Sequence, residues 1–315
     1  MKITALDKNS FGDDLSIECL SEFGEVVSFD ATSADQVIEH IADSDVILLN
    51  KVKITREVML AAKNLKLICI FATGYDNVDT RAARELGIAV CNVPGYSTDS
   101  VALVTISTTL ALCTHLREYN EYVINGSYTK SGIPNKLSPQ FHEISGLTWG
   151  IIGPGNIGSK VAKTAEALGA KTIVFKRTPS DKFTCVDIDT LCKESDIITI
   201  HCPLNDATRG LISKEKIELM KKSVIIVNEA RGAVVVEEDI TKAIEDGRIA
   251  AFGCDVYSTE PFDQNHPYNR IKDLKNVILT PHCAWGAYEA RLRCLDIICN
   301  NIRSFLSGEK LNRVD

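Results

Sequence analysis

The sequence predicts an α/β protein with doubly wound parallel sheets, laid out as two successive blocks. Three observations carry this. Short apolar runs alternate with helix-period segments over residues 1 to 95. The alternation stops at Pro94-Gly95-Tyr96-Ser97-Thr98 and restarts at Leu147. The second block then opens on a strand, a glycine-rich turn and a helix. Such alternation means right-handed βαβ crossovers and a parallel sheet.

In the first block the expected strands are 3–6, 26–29, 46–49, 67–71 and 88–91. Helices are expected at 34–41, 55–62 and 78–86, the last stopped by Gly87. After the break, 101–116 reads as one long apolar helix joining two domains. Its uncharged face of Thr105, Ser107, Thr108 and Thr109 predicts burial against another subunit or domain. Residues 126–146, rich in Gly, Pro and Ser, read as irregular. In the second block strands are expected at 148–152, 172–176, 197–201, 224–228, 249–254 and 277–280, with helices between them. A last helix is expected at 287–306, before Gly308.

The chain has 315 residues, enough for about two domains. A net charge of −7 and the lack of any basic run argue against nucleic acid as the main partner. No segment approaches the roughly 20 apolar residues of a membrane span, and the first residues carry no secretory apolar core. None of the eleven cysteines forms a C-x-x-C pair. Cys69, Cys113, Cys254 and Cys299 sit in apolar runs like small buried hydrophobes. Free thiols in a reducing cytoplasm are therefore expected, and no metal site, since no Cys/His group has ligand spacing.

The turn Gly153-Pro154-Gly155-Asn156-Ile157-Gly158 follows strand 148–152 and precedes a helix with apolar positions Ile157, Val161, Ala165 and Leu168. In that context the spacing points to a dinucleotide. Gly153 permits the tight turn, Gly155 lets backbone approach a pyrophosphate, and Gly158 lets helix and strand pack closely. The helix N-terminus offers free N–H groups and a positive dipole to the phosphates. An NAD-selective unit carries an acid at the end of the next strand, for the ribose 2′-hydroxyl. Here Lys176, Arg177 and Thr178 stand instead. They suit a 2′-phosphate, so NADP(H) is slightly preferred over NAD(H), the alternative being a solvated basic turn that tolerates either cofactor.

Three polar residues follow three later strands: Arg231 in "NEARG", Glu260 in "DVYSTEP" and His282 in "PHCAW". Ligands of an open α/β sheet bind at the carboxyl ends of its strands, so all three are candidates for one site. With "ATGYDNVD" (72–79), "CNVPGYSTDSVA" (91–102), "GIIGPGNIG" (150–158) and "HCPLNDATRGLI" (201–212), they make the chain resemble the D-isomer-specific 2-hydroxyacid dehydrogenase family over nearly its whole length. Within that family, 50–55 and 281–291 look most like glycerate dehydrogenases, also called hydroxypyruvate reductases.

The resemblance implies two flavodoxin/Rossmann-like domains. The substrate domain would be 1–97 with 287–315, and the NAD(P) domain 98–286 would be inserted into it, with a dimerisation helix at its start and substrate in the cleft. A homodimer is expected. The reaction implied is reversible reduction of a small 2-keto acid, of hydroxypyruvate or glyoxylate type, to the D-2-hydroxy acid. Arg231 would bind the substrate carboxylate and polarise the keto group. His282 would be the general acid, and Glu260 would pair with it and favour imidazolium. Besides the glycine loop with Asn156 and Ile157, the matching positions for the cofactor are His201, Cys202, Pro203, Thr208, Glu229, Ala230, Asp255 and His282. Asp255 would lie near the nicotinamide carboxamide. Lys51, Thr73, Gly74, Tyr75 and Trp285 would line the substrate pocket, with backbone N–H groups of 73–75 on the carboxylate.

Two departures stand out. Leu103-Val104 replace a polar residue and a His usual near the start of the inter-domain helix, and Val236 replaces an Asp usual after the arginine. Other keto acids remain open as substrates: pyruvate, branched, aromatic or phosphohydroxypyruvate. A nucleotide-sensing corepressor is the alternative from another class.

Overall fold

The computed structural model describes residues 1–178 and 181–315. It divides into two compact units, Met1–Ser97 with Gly286–Asp315 and Thr98–Trp285.

The first unit holds β1 (Lys2–Ala5), β2 (Glu25–Ser28), α1 (Val37–Ile41), β3 (Val46–Leu49), α2 (Arg56–Ala61), β4 (Leu67–Ile70), α3 (Thr80–Leu86) and β5 (Ala89–Cys91). Its sheet is parallel, in the order β2-β1-β3-β4-β5. β3 and β4 are buried throughout, the apolar run of a strand covered on both faces. Side-chain caps set the helix starts: Thr55 accepts from Val58 N–H, and Asp79 accepts from Ala82 N–H at 2.9 Å. Gly87, at φ 70°, ends α3 as expected.

The second unit begins with α4 (Thr98–Cys113), α5 (Leu116–Ile124) and α6 (Ser127–Ser131). It continues through β6 (Thr148–Ile152), α7 (Asn156–Ala167), β7 (Lys171–Phe175), α8 (Ile188–Glu194), β8 (Ile197–Ile200), α9 (Lys214–Ile217), β9 (Ile225–Asn228), α10 (Glu237–Glu245), β10 (Ala251–Cys254) and β11 (Val277–Leu279). The sheet is again parallel, in the order β11-β10-β9-β8-β6-β7. Ile198, Ile200, Ile226, Ile240 and Phe252 form the core on one face. Each such side chain contributes about 1.5–3 kcal/mol when fully buried. α11 (Tyr288–Leu306) returns the chain to the first unit.

Three expectations need correction. The long apolar helix breaks at His115, which adopts φ 51°, and α5 continues beyond the break. The stretch 126–146 is not wholly irregular, since it contains α6. The threonines of α4 are buried within their own unit, where Thr108 lies over Gly253. Thr105 and Thr109 donate to the carbonyls of Val101 and Thr105, which lets hydroxyls enter a packed helix face unpenalised. Among the described residues no single helix is long and apolar enough to cross a membrane; α4 and α5 pass only jointly, across a 65° bend.

Candidate active site

In each sheet the chain winds outward on one side of its first strand and then returns to the other. The point of reversal lies between β1 and β3 in the first unit and between β6 and β8 in the second. Crevices for ligands open at such points.

In the second unit the reversal point carries the glycine turn. Gly153 has φ 87°, a left-handed conformation, and an added Cβ would meet the Cys202 backbone at 2.7 Å. At Gly158 an added Cβ would lie 2.4 Å from Gly153 O, so close packing of α7 on the turn forbids a side chain. Gly155 differs: nothing of the protein lies within 4 Å of the place a Cβ would take, and its backbone is extended. Packing does not demand a glycine there, whereas backbone approach by a ligand does. Gly155 is also the N-cap of α7, with no side chain capping the helix, so the first-turn amides of Asn156, Ile157 and Gly158 suit a phosphate. The cradle fits a dinucleotide.

Gly153 N–H donates to Phe175 O at 3.0 Å, placing Lys176 immediately beyond the turn. Lys176 is half-buried, and Arg177 and Thr178 are exposed. Across the crevice, His201 N–H donates to Ile152 O at 2.7 Å. Cys202 packs beneath the turn, where burial pushes its thiol up to about 11. Thr208 staples its own loop by donating to Pro203 O at 2.6 Å and accepting from Asn205 N–H at 2.9 Å.

Register extends this edge into a row. Ile200 pairs with Asn228, and Asn228 with Cys254, so the residues that follow, His201, Glu229 and Asp255, leave three adjacent strands at one level. Asp255 is buried and accepts from Cys283 N–H (2.9 Å), Ala284 N–H (2.8 Å) and the Thr280 hydroxyl (2.5 Å). It thereby shapes the segment that bears His282. Glu229 and His201 have no such partners: neither carboxyl oxygen and neither ring nitrogen is hydrogen-bonded. Burial pushes the Glu229 carboxyl up to about 9, with the Asp255 charge adding to it, and pushes His201 down to about 3.

Arg231 follows β9 in extended conformation. Its turn is tied by Asn228, whose amide donates to Arg231 O at 3.0 Å and accepts from Ala230 N–H at 3.1 Å. The guanidinium donates to Ala230 O at 2.8 Å. Gly232 lets this turn abut the Glu260 loop, for an added Cβ would sit 2.0 Å from the Tyr257 carbonyl carbon. Glu260 accepts from Tyr257 N–H at 3.0 Å through one oxygen and meets His282 Nδ1 at 2.6 Å through the other. Both side chains remain partly open, 29% and 24% exposed. His282, at φ 53°, accepts the Trp285 indole N–H on its carbonyl at 2.9 Å. With Nδ1 committed to Glu260, Nε2 is left to face a reactant.

Lys51, Thr73, Gly74 and Tyr75 lie in the other unit. They follow β3 and β4, which are paired at Leu49 and Ile70, so all four belong to one sheet edge. Thr73 donates to Val93 O at 2.8 Å, and Asn92 donates to Thr73 O at 2.7 Å.

The sequence reading overlooked Asn228, Glu237 and His266. Glu237 accepts from Ser258 N–H (2.8 Å) and the Ser258 hydroxyl (2.5 Å), and meets His266 Nε2 at 3.1 Å. His266 Nδ1 accepts from Tyr268 N–H, so Nε2 carries the proton toward Glu237. These groups brace the Glu260 loop against α10. The only sequence signal was Glu237 near the start of a helix that lacks a capping side chain at Val236.

A phosphate cradle and an acid–base pair at the carboxyl ends of one parallel sheet define a dinucleotide-dependent oxidoreductase. The profile of the D-isomer specific 2-hydroxyacid dehydrogenase NAD binding domain matches residues 106–284, and the chain belongs to that family. The hydroxypyruvate reductase of Blautia hydrogenotrophica is 38% identical, with both chains fully covered. The glycerate dehydrogenase of Methylorubrum extorquens is 33% identical over all of this chain and 99% of its own. Among solved structures, an acyclic imino acid reductase in complex with NADPH and D-Arg superposes over both full chains with a TM-score of 0.87 at 28% identity. The D-lactate dehydrogenase of Aquifex aeolicus, complexed with NAD and lactic acid, gives 0.85 at 26% identity, covering 98% of this chain and 96% of that one.

Proposed function

We propose that this enzyme reduces a small 2-keto acid of the hydroxypyruvate or glyoxylate type to its D-2-hydroxy acid, reversibly. The observation that carries the reading is the 2.6 Å contact of Glu260 with His282 Nδ1, on a loop packed against the Arg231 turn. The bound dinucleotide supplies or accepts the hydride. Arg231 binds the substrate carboxylate and polarises the keto oxygen. His282 donates its Nε2 proton to that oxygen as the alcohol forms, and takes it back in the reverse direction. Glu260 holds the ring in the orientation and tautomer this transfer needs. Lys51, Trp285 and the backbone N–H groups of Thr73, Gly74 and Tyr75 are assigned to the rest of the substrate.

Lys176, Arg177 and Thr178 favour NADP(H), because two cations and a hydroxyl at the end of β7 suit a 2′-phosphate that an acid there would repel. A homodimer is assigned through the apolar side chains that α4 and the stretch after it expose, including Leu103 (68%), Ile124 (75%) and Leu137 (81%). The buried thiols fit a reducing cytoplasm.

The test is a panel of hydroxypyruvate, glyoxylate, pyruvate, branched, aromatic and phosphorylated keto acids, each with NADH and NADPH, with the product resolved on a chiral column. The highest kcat/KM is expected for hydroxypyruvate or glyoxylate. A preference for another keto acid, or an L-product, overturns the assignment. Dinucleotide binding without turnover on any of them would favour the nucleotide-sensing alternative.

A further inference from the structure

Six buried side-chain polar atoms lack a partner among the described residues, and four belong to two neighbours in the row at the sheet edge, His201 and Glu229. An unpaired buried carboxyl costs stability that any nearby donor or acceptor would recover. None is provided for Glu229, which is 8% exposed and stands one residue past the end of β9. Its neighbour Asp255 is not in that position, since three donors from the His282 segment already occupy its oxygens. Among the described residues nothing meets the Glu229 carboxyl, which leaves it to a group from outside them.

The order of strands says which part of a dinucleotide reaches it. The phosphate cradle follows β6, and across the sheet come His201 after β8, Glu229 after β9 and Asp255 after β10. Arg231 is two residues beyond Glu229, and Asp255 fixes the segment of the proton donor. A dinucleotide with its phosphates at Gly155 and its reactive ring near Arg231 and His282 brings that ring to β9 and β10. We propose that Glu229 orients the nicotinamide ring by a paired hydrogen bond to its carboxamide, donating to the carbonyl and accepting from the amide. The inference rests on the dinucleotide reading above.

The chemistry is complementary only while the carboxyl keeps its proton, because a carboxylate accepts and cannot donate. Desolvation and the charge of Asp255, one residue past β10, act in that direction. The other groups facing Glu229 carry no opposing charge: the Cys254 thiol on β10, the Tyr257 hydroxyl after it and the Cys283 thiol of the His282 segment are pushed up and stay protonated, and His201 beside it is held neutral. The pairing should therefore hold at neutral pH and fail as pH rises through about 9.

The test measures dissociation constants by fluorescence titration for NADH or NADPH, whichever the wild type binds more tightly, and for ADP-ribose, which lacks the nicotinamide. Glu229→Leu, which removes both hydrogen bonds, should weaken reduced-dinucleotide binding about tenfold or more and leave ADP-ribose binding unchanged. Glu229→Gln keeps one donor and one acceptor and should restore binding to within about threefold of wild type. Between pH 7 and 10 the wild type should lose affinity for the reduced dinucleotide while the Gln variant does not. The inference is overturned if the Leu variant binds the dinucleotide as wild type does, if ADP-ribose affinity falls in parallel, or if the Gln variant shows the same pH dependence. A wild type that binds neither NADH nor NADPH overturns the dinucleotide reading itself, and this inference with it.

Discussion

The two sheets share one topological device and use it in opposite ways. At the reversal point of the first unit, Asp7 follows β1 and is buried. Its carboxylate accepts from Asn50 N–H at 3.0 Å and Lys51 N–H at 2.6 Å, the amides just past β3 that would otherwise face an anion. That crevice is closed by the chain's own carboxylate. At the equivalent point of the second unit the amides lie on a glycine turn with open space at Gly155, and the buried polar groups beside it, His201 and Glu229, are unpaired. At the first point the amides of Asn50 and Lys51 are spent on the chain's own carboxylate; at the second the turn amides and the two buried side chains are not spent in this way. Binding sites at parallel sheet ends are thus marked less by fold than by which amides and carboxyls remain unspent.

The largest expected effect lies on the open side. His282→Ala should lower kcat by roughly 10²- to 10⁴-fold, the usual worth of a positioned general acid, while the dinucleotide dissociation constant stays near wild type. Steady-state kinetics beside a fluorescence titration check this, and retained turnover would refute the role.

Stability should respond with opposite signs at the two ends. Asp7→Ala strands buried N–H groups and should cost about 1–3 kcal/mol in urea unfolding. Glu229→Gln should stabilise the protein. With its pKa in the folded chain raised to about 9 from the ordinary 4.5, the Glu229 carboxyl stays protonated in the folded chain while the unfolded chain ionises. Stability is therefore lost as pH rises from 4.5 toward 9, amounting to about 3 kcal/mol at pH 7. The gap between Gln variant and wild type should widen between pH 5 and 9 and level off above; a gap independent of pH would break the contrast between the two ends.

Within the glycine turn the same contrast recurs at smaller scale. Gly158→Ala drives a Cβ into Gly153 O and should cost about 1–3 kcal/mol of stability. Gly155→Ala should leave the melting temperature nearly unchanged and weaken dinucleotide binding. Equal losses of stability would show that both glycines serve packing alone. The smallest effect is expected at Lys176→Asp, which should raise the kcat/KM ratio of NADH over NADPH; an unchanged ratio removes the argument for NADP(H).

Periodicity made the strands of both sheets legible to within one or two residues, because buried parallel strands are continuous apolar runs such as Val46–Leu49. The glycine turn was legible for a similar reason, its context being local. What escaped depends on distance along the chain. Nothing near Glu237 announces Ser258 or His266, and nothing near Asp7 announces that Lys51 lies above it. The burial of the α4 threonines was foreseen, but their covering proved to be their own sheet. The family resemblance put Glu229 beside the cofactor, yet that it lacks a partner among the described residues is a property of the folded edge alone.

The contact through Gly232 also bears on redesign. The Arg231 turn and the Tyr257–Ser258 backbone touch with no room for a methyl group, so the two loops are packed directly on one another. Lengthening either to admit a bulkier keto acid would displace Glu260, and with it the ring of His282.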